Sequence, residues 1–237
     1  MANALKTDDY IVAFIDVLGA KHMIKQDING SLNVIHKVYE KSIELYKKGL
    51  SQRVPLELTI FSDNIVVAKK IYDKKKIASF FRAVQMMAAV IQSNFLFHNV
   101  LTRGGIAYGK FFKDDIMIWG DALVKAYSLE GSVAIYPRIV VDPDLVGELH
   151  IFPDGPENSP YWLRQDQDGI VYVDYLQKKH IKNYDIVLLQ ENARFDDRIA
   201  EAGNDIKVIQ KIIWHANYIR NKLTEGDSLE ENETIQH

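Results

Sequence analysis

The chain has 237 residues, long enough for a substantial α/β core, and its 47% apolar and 26% charged content is that of an ordinary globular protein. A formal net charge of -3 excludes the strongly basic surface that nucleic-acid binding leaves in a sequence. The lack of cysteine excludes a disulfide framework and a cysteine-rich zinc site, and no apolar run approaches the roughly 20 residues of a membrane span. The start MANALKTDDY has no cationic and apolar leader pattern, so the expectation is a cytoplasmic protein with no nucleic-acid or membrane partner.

In chain order, Tyr10–Asp16 is a short run of β-formers that reads as a buried strand ending in an acid. The chain then turns through residues 17–20. From about Ile28 to Lys48, Leu32, Ile35, Val38, Tyr39, Ile43 and Tyr46 recur at helical spacing. Leu56–Phe61 and Ile65–Lys69 are separated by three residues, which predicts a tight hairpin with Asp63 near its tip. A long helix is expected over about 74–97. A strand pair over 101–107 and 111–119 is expected next, turning near Tyr108-Gly109-Lys110. A short helix then follows Gly120 through Glu130, and Arg138–Val141 is a strand before a turn or helix at Asp142.

Phe152–Ser159, dense in Pro, Gly and Asp, reads as a loop. Tyr161–Gln165 and Ile170–Asp174 suggest a hairpin. A helical region spans about Leu188–Leu223, with a break near Gly203, and Thr224–His237 is an acidic tail expected to fray. The order implies an α+β domain with a mixed, mostly antiparallel sheet, helices on one face and a ferredoxin-like core. The expected boundaries are one domain over 1–223, with its core at 10–141, an extension at 142–223, and the tail at 224–237.

Asp16 and Asp63 close adjacent strand ends in such a sheet. Two carboxylates there are the hard oxygen ligands that Mg²⁺ or Mn²⁺ takes when it also binds phosphate. Two ions could activate a hydroxyl and neutralise a pyrophosphate leaving group. Taken singly, either Asp reads as a turn residue. Gly19 and Ala20 offer backbone N–H groups ahead of a helix, a phosphate cradle, although Gly19 also suits a plain turn. Arg103 reads equally as a bidentate phosphate ligand and as a solvent-facing strand-end residue. No serine or zinc chemistry is indicated, because no His lies at a supporting spacing.

The segments FIDVLG (Phe14–Gly19), FSDN (Phe61–Asn64), RGGIAYG (Arg103–Gly109) and IWGDALVKAYSLE (Ile118–Glu130) resemble, in order and spacing, the motifs of class III nucleotidyl cyclases. The resemblance covers about Tyr10–Val141. It implies that Asp16, the Val17 carbonyl and Asp63 hold two Mg²⁺ or Mn²⁺ ions, and that a homodimer binds a nucleoside triphosphate across its interface. It also implies departures. The base-reading positions hold Thr59 and Met117, which match neither the adenylate nor the guanylate pair. The ribose and transition-state positions hold Val124 and Ser128 in place of Asn and Arg.

Replacement cations are sought among Lys21, Arg103, Lys110, Lys125 and Arg138, and Tyr108 and Tyr127 fall near the implied pocket. With a late WHANYI (Trp214–Ile219), the pattern looks like the bacterial pyrimidine cyclases of Pycsar anti-phage defence. That resemblance implies UTP, or second CTP, as substrate and a separate cyclic-nucleotide effector as the target of the product. The alternatives are a cyclase-fold module that senses nucleotide without chemistry, and an adenylate cyclase with a remodelled base pocket.

Overall fold

A computed structural model describes residues 4–49, 54–150 and 161–234 of the chain. The loop expected at Phe152–Ser159 lies outside the described residues, as does the end of the expected tail. The chain divides into two compact units, Met1–Tyr175 and Leu176–His237, each taken by itself below.

The described residues of the first unit form an α+β structure around one sheet of eight strands. These are β1 (Asp8–Val17), β2 (Glu57–Phe61), β3 (Asn64–Lys70), β4 (Thr102–Lys113), β5 (Ile118–Trp119), β6 (Ile139–Val141), β7 (Leu163–Gln165) and β8 (Val171–Val173). The spatial order is β2-β3-β1-β4-β6-β8-β7, with β5 paired to β4 off this path. Among the described residues only β4 and β6 run parallel, so the sheet is mixed and mostly antiparallel, as the sequence implied. Among the described residues this unit has five α-helices: α1 (Ala20–Gln26), α2 (Ile28–Gly49), α3 (Ile77–Phe97), α4 (Asp121–Ser132) and α5 (Pro143–Glu148).

β1 lies inside the sheet between β3 and β4, and its apolar run is buried on both faces, because alternate side chains of a strand point to opposite faces. Tyr10, Val12 and Phe14 pack with Val66, Ala68, Ala107 and Phe111 beneath Ala122 and Ala126 of α4. Ile11, Ala13 and Ile15 are equally buried and face the other way, and α3 packs on both β1 and β3. Helices therefore cover both faces, not one as expected. Gly105 lets α4 close on the sheet: a Cβ there would lie 2.4 Å from the Ala126 carbonyl oxygen.

The strand pair expected to turn at 108–110 is also corrected. β4 runs unbroken through Gly109, which pairs with Tyr10, and the chain reverses instead at Asp114–Met117, where the Asp114 carboxylate accepts from the Ile116 and Met117 amides. Gly109 reads as a turn in sequence, but its bareness clears the Asp121 carboxylate, 2.9 Å from where a Cβ would stand. The hairpin of β7 and β8 forms as expected and is held to β6 by Arg138. That arginine is 1% accessible and pairs with Asp166 at 2.6 Å and Asp168 at 2.5 Å.

The second unit contains α6 (Tyr184–Ala193), α7 (Phe195–Ala202) and α8 (Ile206–Thr234). The break at Gly203 is as expected, and a second falls at Arg194. The α8 backbone stays helical through Thr234, inside the stretch expected to fray. Among the described residues no helix is long and apolar enough to cross a membrane.

Candidate metal and nucleotide site

Asp16 is the penultimate residue of β1. The β1 ladder sets it opposite Asn64 of β3 on one side and Arg103 of β4 on the other. The hairpin between β2 and β3 closes on the pair Phe61 and Asn64, so its turn is only Ser62 and Asp63, with Ser62 at a left-handed φ of 54°. Asp63 thus sits beside the residue that pairs with Asp16, and the Asn64 amide donates to its carboxylate at 3.2 Å. From α2, the Tyr39 hydroxyl reaches the Asp63 backbone carbonyl at 3.4 Å. The two aspartates expected to act together stand at the same end of the sheet.

Their electrostatics follow from that placement. Burial pushes the Asp16 carboxyl above its ordinary value; Arg103 opposes this and the neighbouring charge of Asp63 reinforces it. Burial, then the charges of Asp63 and Asp16, push the Tyr39 phenol up as well. Arg103 reaches Asp16 through Nε at 3.5 Å and Glu130 through Nη2 at 2.5 Å. Its guanidinium is therefore taken up by carboxylates.

The donor set suits a hard divalent ion. Asp16 and Asp63 are partly exposed carboxylates, the charge of Asp63 acts on Asp16, and the Arg103 guanidinium stands against Asp16. Among the described residues, no three His, Cys, Asp or Glu side chains gather closely enough to hold an ion by themselves. A site with two carboxylates is the kind in which Mg²⁺ keeps waters and takes its remaining ligands from substrate phosphates.

The other expected residues are distributed as follows. Val17 is buried beside Asp16 at the end of β1 and pairs with Thr102. Gly19, at φ 79°, precedes α1, Ala20 is buried and Lys21 is exposed. Thr59 is half-buried on β2 opposite Val66, on the face that α4 covers. Met117 lines a cavity of about 430 Å³ with Leu5, Lys6, Thr7, Phe112 and Trp119, a set that does not include Thr59. Tyr127 is exposed on α4 and packs edge-on against Phe14, with ring centroids 5.3 Å apart. Phe14 also meets Phe61, the last residue of β2.

The candidate replacement cations are mostly occupied. Arg138 holds the β7–β8 hairpin, Lys110 pairs with Asp9 at 2.9 Å, and Lys125 donates to the Tyr108 carbonyl at 3.5 Å.

Two residues near the acids escaped the sequence reading, Tyr39 and Glu130. A signal for Glu130 existed: it follows Ala122 and Ala126 at four-residue spacing, and all three are buried on α4. A charged residue on an apolar helix face calls for a buried partner.

No protein-family model matches the chain, and no curated protein matches its sequence. By structure it is similar to the adenylyl cyclase CyaB from P. aeruginosa, with TM-score 0.49 and 13% identity over 62% of this chain and 83% of that one. It is similar to the monomeric guanylyl cyclase domain of the RhoGC fusion protein from the aquatic fungus Blastocladiella emersonii, with TM-score 0.48 and 10% identity over 71% and 98%. A bacterial light-regulated adenylyl cyclase gives TM-score 0.46 and 16% identity over 78% and 99%.

Proposed function

We propose that this protein is a nucleotidyl cyclase that converts UTP, or as second choice CTP, into the 3′,5′-cyclic monophosphate and pyrophosphate. The observation that carries this reading is the meeting of Asp16 and Asp63 at one sheet end, with Asp16 pushed up by burial and by its acidic neighbour. Asp16, Asp63 and the Val17 carbonyl would hold Mg²⁺ or Mn²⁺, which when bound would lower the pKa of the ribose 3′-hydroxyl and neutralise charge on the leaving group. The 3′-oxygen attacks the α-phosphorus in line, and the bond to the β-phosphate oxygen breaks. The turn at Gly19, Ala20 and Lys21, next to Asp16, binds the phosphates.

The base is bound across a homodimer. Exposed Val124, Tyr127 and Ser128 on α4 support this, since the Tyr127 ring and two small neighbours leave room for a second chain. Thr59 and Met117 offer no purine-reading pair, which supports a pyrimidine. In this reading the product signals to a separate effector in anti-phage defence.

Incubating the protein with each of the four nucleoside triphosphates and Mn²⁺, and resolving the products by mass, tests it. A cyclic pyrimidine monophosphate is expected, and Asp63→Ala should lower its rate by at least about 10³-fold while the chain stays folded. An active Asp63→Ala protein sinks the metal assignment, and cyclic AMP would point to an adenylate cyclase. A second reading, a nucleotide-sensing module without chemistry, is favoured by one observation: no cation stands at Val124 or Ser128. Nucleotide binding with no turnover would establish it.

A further inference from the structure

Arg103 faces Asp16 directly in the β1–β4 ladder, so the two side chains share the sheet face that α4 covers. From α4, Glu130 drops onto the same guanidinium. The two contacts are unequal. At the inner end, Nη2 makes a 2.5 Å ion pair, outside hydrogen-bond geometry, with Glu130 Oε1, whose side chain is 5% accessible; at the outer end, Nε donates to Asp16 at 3.5 Å, the limit of a hydrogen bond. The arginine is held by a close ion pair below and by one long hydrogen bond above.

We propose that Arg103 is a tethered counter-ion of Asp16 and that Glu130 is its positioning residue: the guanidinium covers Asp16 until a divalent ion arrives, then rests wholly on Glu130. This depends on the metal assignment to Asp16 and Asp63. A guanidinium keeps its charge at any physiological pH, so an ion approaching Asp16 must meet a repelling cation or one that can withdraw. Withdrawal breaks only the long Nε contact, because the short Nη2 contact is already made. Without the Glu130 charge, Asp16 is the one carboxylate left in Arg103's ion pairs among the described residues, and the incoming ion must compete for it. Glu130 thus acts chiefly through Arg103, beside its own bond to Asp16, and is no ligand itself, in keeping with the lack of a three-acid group among the described residues.

The test is Mn²⁺ affinity of the full chain without nucleotide, read from the electron paramagnetic resonance signal of the free aqua ion. Glu130→Gln should raise the Kd about tenfold, and Arg103→Met should bind at least about threefold more tightly than wild type. In the Arg103→Met background, adding Glu130→Gln should change the Kd by less than about threefold. An unchanged Kd in Glu130→Gln overturns the proposal, as does an equal loss in both backgrounds, which would make Glu130 a direct ligand. If Glu130→Gln does not fold, Arg103→Met alone decides, and an unchanged or weaker affinity overturns the proposal. Asp16→Asn separates this from the underlying reading: wild-type Mn²⁺ affinity in that variant removes the metal from Asp16 whatever Glu130 does.

Discussion

Asp16 at the end of β1 and Glu191 in α6 are both carboxylates drawn out of water beside arginine, yet their surroundings push them in opposite directions. Burial raises Glu191 too, but a bond with His215 and the charges of Arg198 and Arg194 outweigh it and hold the carboxyl below its ordinary value. Arg198 Nη2 lies 2.9 Å from Glu191 Oε2, and Arg194 closes on the other oxygen. In that cluster, within the helical unit, one carboxylate faces two guanidinium groups. At the sheet end Asp16 and Glu130 share Arg103, Asp63 adds its own charge, and Asp16 stays raised. A buried acid with enough cations of its own is a fastening; acids that outnumber their cations leave a place for an external one.

Removing each acid should break or sharpen that contrast. The largest effect is expected from Glu191→Ala, which removes the carboxylate that Arg194 and Arg198 share and should cost about 3–5 kcal/mol in denaturant unfolding. Asp16→Asn should cost nothing and should stabilise the metal-free protein, because burial and Asp63 both penalise the charged form. Equal losses in the two variants would erase the distinction. Next in size, Mn²⁺ at about 100 times its Kd should raise wild-type stability by about 2.7 kcal/mol, read as an upward thermal shift. Asp16→Asn should show no such shift.

The smallest effect concerns His215, which burial holds below its ordinary value of 6.5. The unfolded chain takes up a proton near that value while the folded one does not. Stability is therefore complete above it and is lost as the pH falls below it. Thermal unfolding followed from pH 8 down to about 5 should show that loss, and His215→Gln should flatten it.

Much of the sheet end was legible because its signals are local. The apolar run into Asp16 and the three residues between two β-rich runs required only period and turn chemistry, and both elements formed where expected. Arg103 was less legible. A strand-end arginine before two glycines can serve a phosphate, face solvent or pair with an acid, and the structure gives it two acids. Arg138 followed the same course: it looked like a free cation and is buried against Asp166 and Asp168, in a hairpin almost thirty residues on.

The sequence by itself determined the alternation of strands and helices, the acids at two strand ends and the hairpin between β7 and β8, since each depends on neighbours a few residues apart. Only the tertiary structure decided that β4 runs through Gly109, that α4 covers the face opposite α3, and that Glu130 meets Arg103. Those outcomes depend on pairings between residues far apart in the chain, such as Asp16 with Arg103 at a separation of 87, and on the close approach that Gly105 permits. Periodicity assigns a side chain to a face; packing alone decides what stands across from it.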